Sequence, residues 1–276
     1  MRKIGTIITA LCPAAGILIA VLRLIHSKLN TAGELPSHGF LSAFLSAAAI
    51  IAIVTCFVAA YIISKRKMAE EEIIKCLPMN KGGIYLITQV VAALLILIHG
   101  IITYPTFPEI FKNHNKIAVP LAILFAAAHI FTAVNIYKRK NTKLIGYFGL
   151  LPPLYLSLQL GEIFYANMAN PILLEYSYEC LSLGACALFM LSLSGCALKK
   201  EQVFNVIFTG TLALICAPAA IAGPQLTGKR VLLYITVLII VIPHLHAFTM
   251  NLIKRVKKEK SEAKPAEESE TQEEHE

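Results

Sequence analysis

The chain predicts an all-α fold, a polytopic membrane bundle of about eight transmembrane helices with both termini cytoplasmic. Three observations carry that prediction. Of 276 residues 57% are hydrophobic and only 15% charged, against about 45–50% and about 25% in ordinary soluble domains. The apolar residues come in continuous blocks, each close to the ~20 residues a helix needs to cross ~30 Å of hydrocarbon. Lys and Arg gather in alternate loops, as cytoplasmic segments require. A mean hydropathy of +0.67 excludes an ordinary soluble enzyme.

The blocks read as helices because they are continuously apolar, whereas barrel strands alternate, and lipid admits only backbones that satisfy their own hydrogen bonds. The first, Ile4–Leu22, follows Arg2 and Lys3. It reads as a retained helix instead of a secretory signal, since apolar residues continue through Ile17–Leu22 past any cleavage point. Leu11 before Cys12 also stands where a lipoprotein signal has a small residue. The second and third spans, Leu41–Ile63 and Ile84–Thr103, flank a loop with Lys65, Arg66, Lys67, Lys75 and Lys81. The fourth, Ile117–Tyr137, has His129 near its middle and is followed by Lys138, Arg139, Lys140 and Lys143.

The fifth span, Leu144–Tyr165, contains Pro152 and Pro153, a helix break and candidate gating element. The sixth, Ile172–Ala197, begins just after Pro171, where a first helical turn tolerates proline. The seventh, Val203–Gly223, follows Lys199 and Lys200, and the eighth is Val231–Leu252. Residues 1–253 thus form one transmembrane domain. The tail, 254–276, runs from KRVKKEK into SEAKPAEESETQEEHE and, nearly devoid of apolar residues, is expected to be a disordered, charged cytoplasmic segment.

Of the 25 Lys and Arg, only Arg23, Lys28, Lys112, Lys116, Lys229 and Arg230 fall in outer loops in this topology, and none falls within a span. The net charge of +8 therefore points to anionic headgroups of the inner leaflet and not to nucleic acid, because the positive charge covers a face instead of lining a groove. None of the seven Cys lies in an outer loop and no CxxC occurs, so the thiols read as packing residues. With no Trp, the interfacial belt falls to Tyr61, Tyr85, Tyr104, Tyr137, Tyr147 and Tyr165 at the helix ends.

Chemistry concentrates in the fifth and sixth spans. All 17 acidic residues are Glu, and Glu162, Glu175 and Glu179 lie within these apolar blocks. An ionisable group near the bilayer centre costs about 2.5–3.5 kcal/mol on insertion scales, so it faces the bundle interior and finds a partner. The loop from Ala166 to Pro171 is short enough to make the two helices antiparallel neighbours. Glu175, Glu179, Ser182 and Cys186 share one face of the sixth helix, and Tyr155, Gln159 and Glu162 one face of the fifth. Should the faces meet, three carboxylates converge and at least one holds a proton. His99, on a stripe with Gln89, Ala92 and Ile96, reaches a similar depth. Glu162, Glu175, Glu179, Gln159 and His99 are therefore the candidate proton or cation site. The pair His244 and His246 is no metal site, because residues two apart diverge by about 200° on a helix. No metal or cofactor is indicated elsewhere.

No Walker A, GxSxG, HExxH or GxGxxG pattern occurs. Two functions from different classes follow: a small secondary transporter or proton- or cation-coupled permease for a small solute or ion, and a non-catalytic sensor, scaffold or assembly subunit acting through the second loop and tail. Small residues such as Gly184, Ala185 and Ala187 allow close contact within or between subunits. An intramembrane enzyme ranks third, since no spacing pairs a nucleophile with a base. The run Asn170-Pro171-Ile172-Leu173-Leu174-Glu175-Tyr176-Ser177-Tyr178 with the Ala-, Leu- and Ser-rich helix after it resembles a group of uncharacterised multi-pass membrane proteins of clostridial-type Firmicutes. The resemblance covers about a tenth of the chain. It implies a bacterial plasma membrane location and transfers no activity and no site residue.

Overall fold

Lipid-facing helices must be apolar outside, and a computed structural model of the chain shows this arrangement. It describes residues 2–31, 40–65, 76, 83–103, 112–138, 142–167, 174–198, 200, 202–223 and 227–273, with side chains except at 2–9, 29–31, 41–42, 112–116, 142, 174–175 and 253–273. Among the described residues there is no strand, and the helices are α1 (Arg2–Thr31), α2 (Phe40–Ser64), α3 (Gly83–Thr103), α4 (Lys112–Lys138), α5 (Thr142–Phe148), α6 (Pro152–Asn167), α7 (Leu174–Ala197), α8 (Val203–Ile221) and α9 (Gly228–Glu273). Eight stretches are long and apolar enough to span a bilayer, the fifth being α5 and α6 together. Ile50, Ile51, Ile62, Ile84 and Ile101 are each more than 60% exposed, a surface that suits hydrocarbon and not water.

The most buried helix is α8, with 78% of its spanning window covered against 17% for α1 and for α2. It packs against α1, α2, α7 and α9. Its small residues explain this position. A Cβ on Gly210 would stand 2.9 Å from the Phe189 ring and 3.1 Å from Leu245, so α7 and α9 both close onto that point. On the opposite side, α1 presents Gly16 to the α8 backbone, where a Cβ would stand 2.5 Å from the Ile215 carbonyl. Such close backbone approach is how helices gain dispersion energy in lipid, where no hydrophobic effect drives association.

A second group, α3, α4, α6 and α9, borders the remaining interior through the pairs α3–α4, α4–α6 and α3–α9. Gly100 lets α3 approach α4, since a Cβ there would lie 2.6 Å from that of Ala122. The buried face of α3 is Tyr85, Gln89, Ala92, Ala93, Ile96, His99, Gly100 and Thr103, the stripe that helical spacing selects.

Several expectations are corrected. The first helix, α1, contains Ile4–Leu22 and runs on to Thr31, so Arg23 lies on a helix and not in a loop. Lys28, Lys229 and Arg230 also lie on helices, α1 and α9, and not in loops. Arg23 is tolerated because its Nη1 donates to the Ala219 carbonyl at 2.6 Å and its guanidinium lies 4.9 Å from the Tyr178 ring centre. It thereby neutralises a carbonyl near the C-terminal, negative end of α8.

Tyr85 is not an interfacial residue: it is buried and bonded to His244. Tyr61, Tyr147 and Tyr165 are exposed. α9 runs as helix to Glu273, through the charged segment 254–273. Its Lys, Glu and Ala are strong helix formers, so the lack of apolar residues removes packing without removing local propensity. α1 passes through Pro13 unbroken. The chain breaks its helix at Gly149–Leu151, directly before Pro152 and Pro153, which open α6.

Candidate functional site

At the end of the bundle where α3 and α6 finish and α9 begins, polar groups line a narrow pocket. Its walls are His99 and Thr103 from α3, Gln159, Glu162 and Ile163 from α6, and Lys229, Arg230 and Leu233 from α9. The space between them takes little more than a water-sized group. Gln159 and Glu162 reach it because they lie three apart on the inner face of α6, the face that also buries Tyr155, Leu156 and Ile163. Gln159 is 3% exposed and its Nε2 has no hydrogen-bond partner. A buried amide donor left unpaired costs free energy and needs an explanation.

His99 forms the floor of the pocket. Its Nδ1 lies 2.6 Å from the Tyr155 hydroxyl, while the Thr103 hydroxyl donates to the His99 carbonyl and stands 3.5 Å from Nε2. With the Thr103 proton committed, the consistent assignment has Tyr155 donating to Nδ1 and the ring proton on Nε2, toward the pocket.

Glu179 lies behind the pocket wall, 1% exposed. Its Oε2 accepts from Arg230 Nη1 at 3.3 Å and from the Tyr234 hydroxyl at 3.0 Å. Its Oε1 sits over Gly223, where a Cβ would stand 3.0 Å from it and 3.7 Å from Arg23 Nη2. Arg230 thus faces Glu179 on one side and shares the pocket with Glu162 on the other. Gly223 brings Arg23 up to the same carboxylate.

The described members of the candidate set therefore divide. His99, Gln159 and Glu162 line one pocket, and Glu179 belongs to an ion pair beside it. Glu175 is within α7, but its side chain lies outside the described residues. Sequence reasoning missed Arg230, Lys229 and Arg23, all assigned to outer loops. The signal was present, because a buried carboxylate demands a cation and these lie within about two turns of the span ends on the Glu179 side. Among the described residues no group of three or more His, Cys or Glu is placed to hold a metal ion.

A second polar cluster lies deeper. His129 Nε2 is 2.9 Å from Gln89 Oε1, and His244 bonds Tyr85 at 3.0 Å and the Ile240 carbonyl at 2.8 Å. Helical periodicity placed Gln89 on the His99 stripe but gave no sign that α4 and α9 would bring two histidines to it. His246 is half-buried.

The fold and these sites define a multi-pass helical membrane protein with a charged pocket near one end of its bundle. Comparison with known proteins adds no relative: no family model, curated protein or solved structure matches the chain.

Proposed function

We propose that the protein is a small secondary permease of a bacterial plasma membrane, proton-coupled, with the His99–Glu162–Arg230 pocket as its outer solute site. The observation that carries this reading is the Gln159 amide, buried and without a partner in a pocket lined by Lys229, Arg230, His99 and Glu162. A packed structural core satisfies its polar groups, whereas a site that binds and releases must leave donors open. Converging donors suit an oxygen-rich, carboxylate-bearing solute, with Glu162 competing for the same cations and so governing release. The pocket is narrow, so a solute larger than water enters when its walls part, and the interrupted backbone ahead of Pro152 and Pro153 supplies the compliance. The likeness of the Asn170–Tyr178 run to clostridial membrane proteins supports the bacterial setting.

The test is solute-induced charge movement in proteoliposomes with a panel of amino acids and short-chain carboxylates. One or more should give currents that Glu162→Gln and Gln159→Leu abolish while the protein still inserts. A panel without response, or currents intact in both variants, removes the reading. The continuation of α9 as helix into the charged segment 254–273 supports a second role as sensor or assembly subunit. Partners that co-purify with the full chain and are lost on deleting 254–276 would favour it.

A further inference from the structure

The pocket leaves the deep histidine cluster unexplained. His129 and His244 are 1% and 3% exposed, and their ring centres are 6.1 Å apart. The bonding fixes their tautomers. His244 Nδ1 faces a backbone carbonyl, which only accepts, so it carries the proton and Nε2 accepts from Tyr85. Gln89 directs its Nε2 toward the Ile239 carbonyl at 3.4 Å, leaving Oε1 to accept from His129 Nε2–H. His129 Nδ1 is therefore a bare imidazole nitrogen, buried and without a partner. One turn further along α4, the Thr132 hydroxyl is also buried and unpaired.

The surroundings of His129 divide at one ring. Phe125 lies 5.6 Å from His129 and 6.0 Å from Tyr155, between centres. Beyond it stand Tyr155, His99 and the pocket; on the near side stand Gln89 and Tyr85 of α3 and His244 of α9, with Phe189 of α7 against His244. Tyr85 and His99 are fourteen residues apart on α3, about 21 Å at 1.5 Å per residue, most of a ~30 Å hydrocarbon core.

We infer that His129 is a proton-binding site at the centre of the bundle, where an outer polar half-path through His99 and Tyr155 meets an inner one through His244, Tyr85 and Thr132, with Phe125 as the apolar barrier between them. Uptake forms an N–H bond at Nδ1 and leaves an imidazolium still donating through Nε2 to Gln89. Release to the other side restores the neutral ring, and no redox partner is involved. As the coupling site of the proposed permease this rests on that reading, but proton binding at His129 does not.

The experiment uses the full chain in liposomes containing a pH-sensitive dye, with a potassium diffusion potential and no solute. Wild type should be tight. Phe125→Ala should raise proton influx about tenfold, equivalent to lowering the barrier by about 1.4 kcal/mol, and Phe125→Ala with His129→Gln should return it to the wild-type rate. A folded Phe125→Ala protein as tight as wild type, or a leak indifferent to His129, overturns the inference. Should Phe125→Ala not fold, 15N spectra of histidine-labelled wild type decide. The His129 signal, assigned by its loss in His129→Gln, should show a bare Nδ1 at neutral pH and gain a second N–H on acidification; a ring that stays neutral until the protein unfolds overturns the proposal. A solute panel without response alongside a His129-dependent leak removes only the permease reading.

Discussion

Arg230 and Glu179, fifty-one residues apart in sequence, meet at 3.3 Å with side chains 15% and 2% exposed. Each charge offsets the burial of the other, with Arg23 near the same carboxylate and Glu162 in the pocket that Arg230 lines. Removing one partner from a buried pair typically costs about 3–5 kcal/mol, because the remaining charge is stranded. Arg230→Ala should therefore lower thermal stability in nanodiscs more than Glu179→Gln does, since the neutral amide can still accept from Tyr234. The double variant Glu179→Gln with Arg230→Gln should recover part of the loss. Equal, additive losses would show that the pair does not hold the charges.

Gln159→Leu is expected to separate stability from function. It removes an unpaired donor at a nearly fully buried position, so melting temperature should hold or rise, by the equivalent of about 1 kcal/mol, while solute-induced current is lost. A marked fall in stability would mean that the amide is bonded in the folded protein.

Close helix approach gives a matched pair of glycine tests. A Cβ at Gly100 would lie 2.6 Å from that of Ala122, whereas one at Gly161 meets nothing within 4 Å. Gly100→Ala should destabilise by about 1–3 kcal/mol through overpacking. Gly161→Ala should be neutral or stabilise by up to about 1 kcal/mol through helix propensity. Thermal unfolding of the two variants beside wild type checks both.

Tyr155→Phe deletes the hydroxyl that bonds His99 Nδ1 at 2.6 Å and leaves a buried ring nitrogen unpaired, at a cost of about 1–3 kcal/mol. Histidine 15N spectra should show the His99 resonance shifting while His129 and His244 stay fixed. Movement of all three would mean that Phe125 does not separate the two polar clusters.

The sequence by itself determined the class of fold. Block length, the absence of alternation and the distribution of Lys and Arg depend on the bilayer alone, which acts on each segment independently of the others. It also determined the inward faces, since Gln89 and His99 on α3, and Tyr155 and Gln159 on α6, follow from helical period. Where Arg23 and Arg230 would lie was misread, because hydropathy charges each cation its full cost and cannot credit a carboxylate on another helix. The pairing of Glu179 with Arg230, the separation of Glu179 from the pocket of Glu162, and the meeting of His129 with His244 were decided only by the tertiary structure. They depend on how far α8 lets α1, α7 and α9 approach, a matter of glycines and alanines packing against particular side chains, and period along one helix carries no information about its rotation against the next.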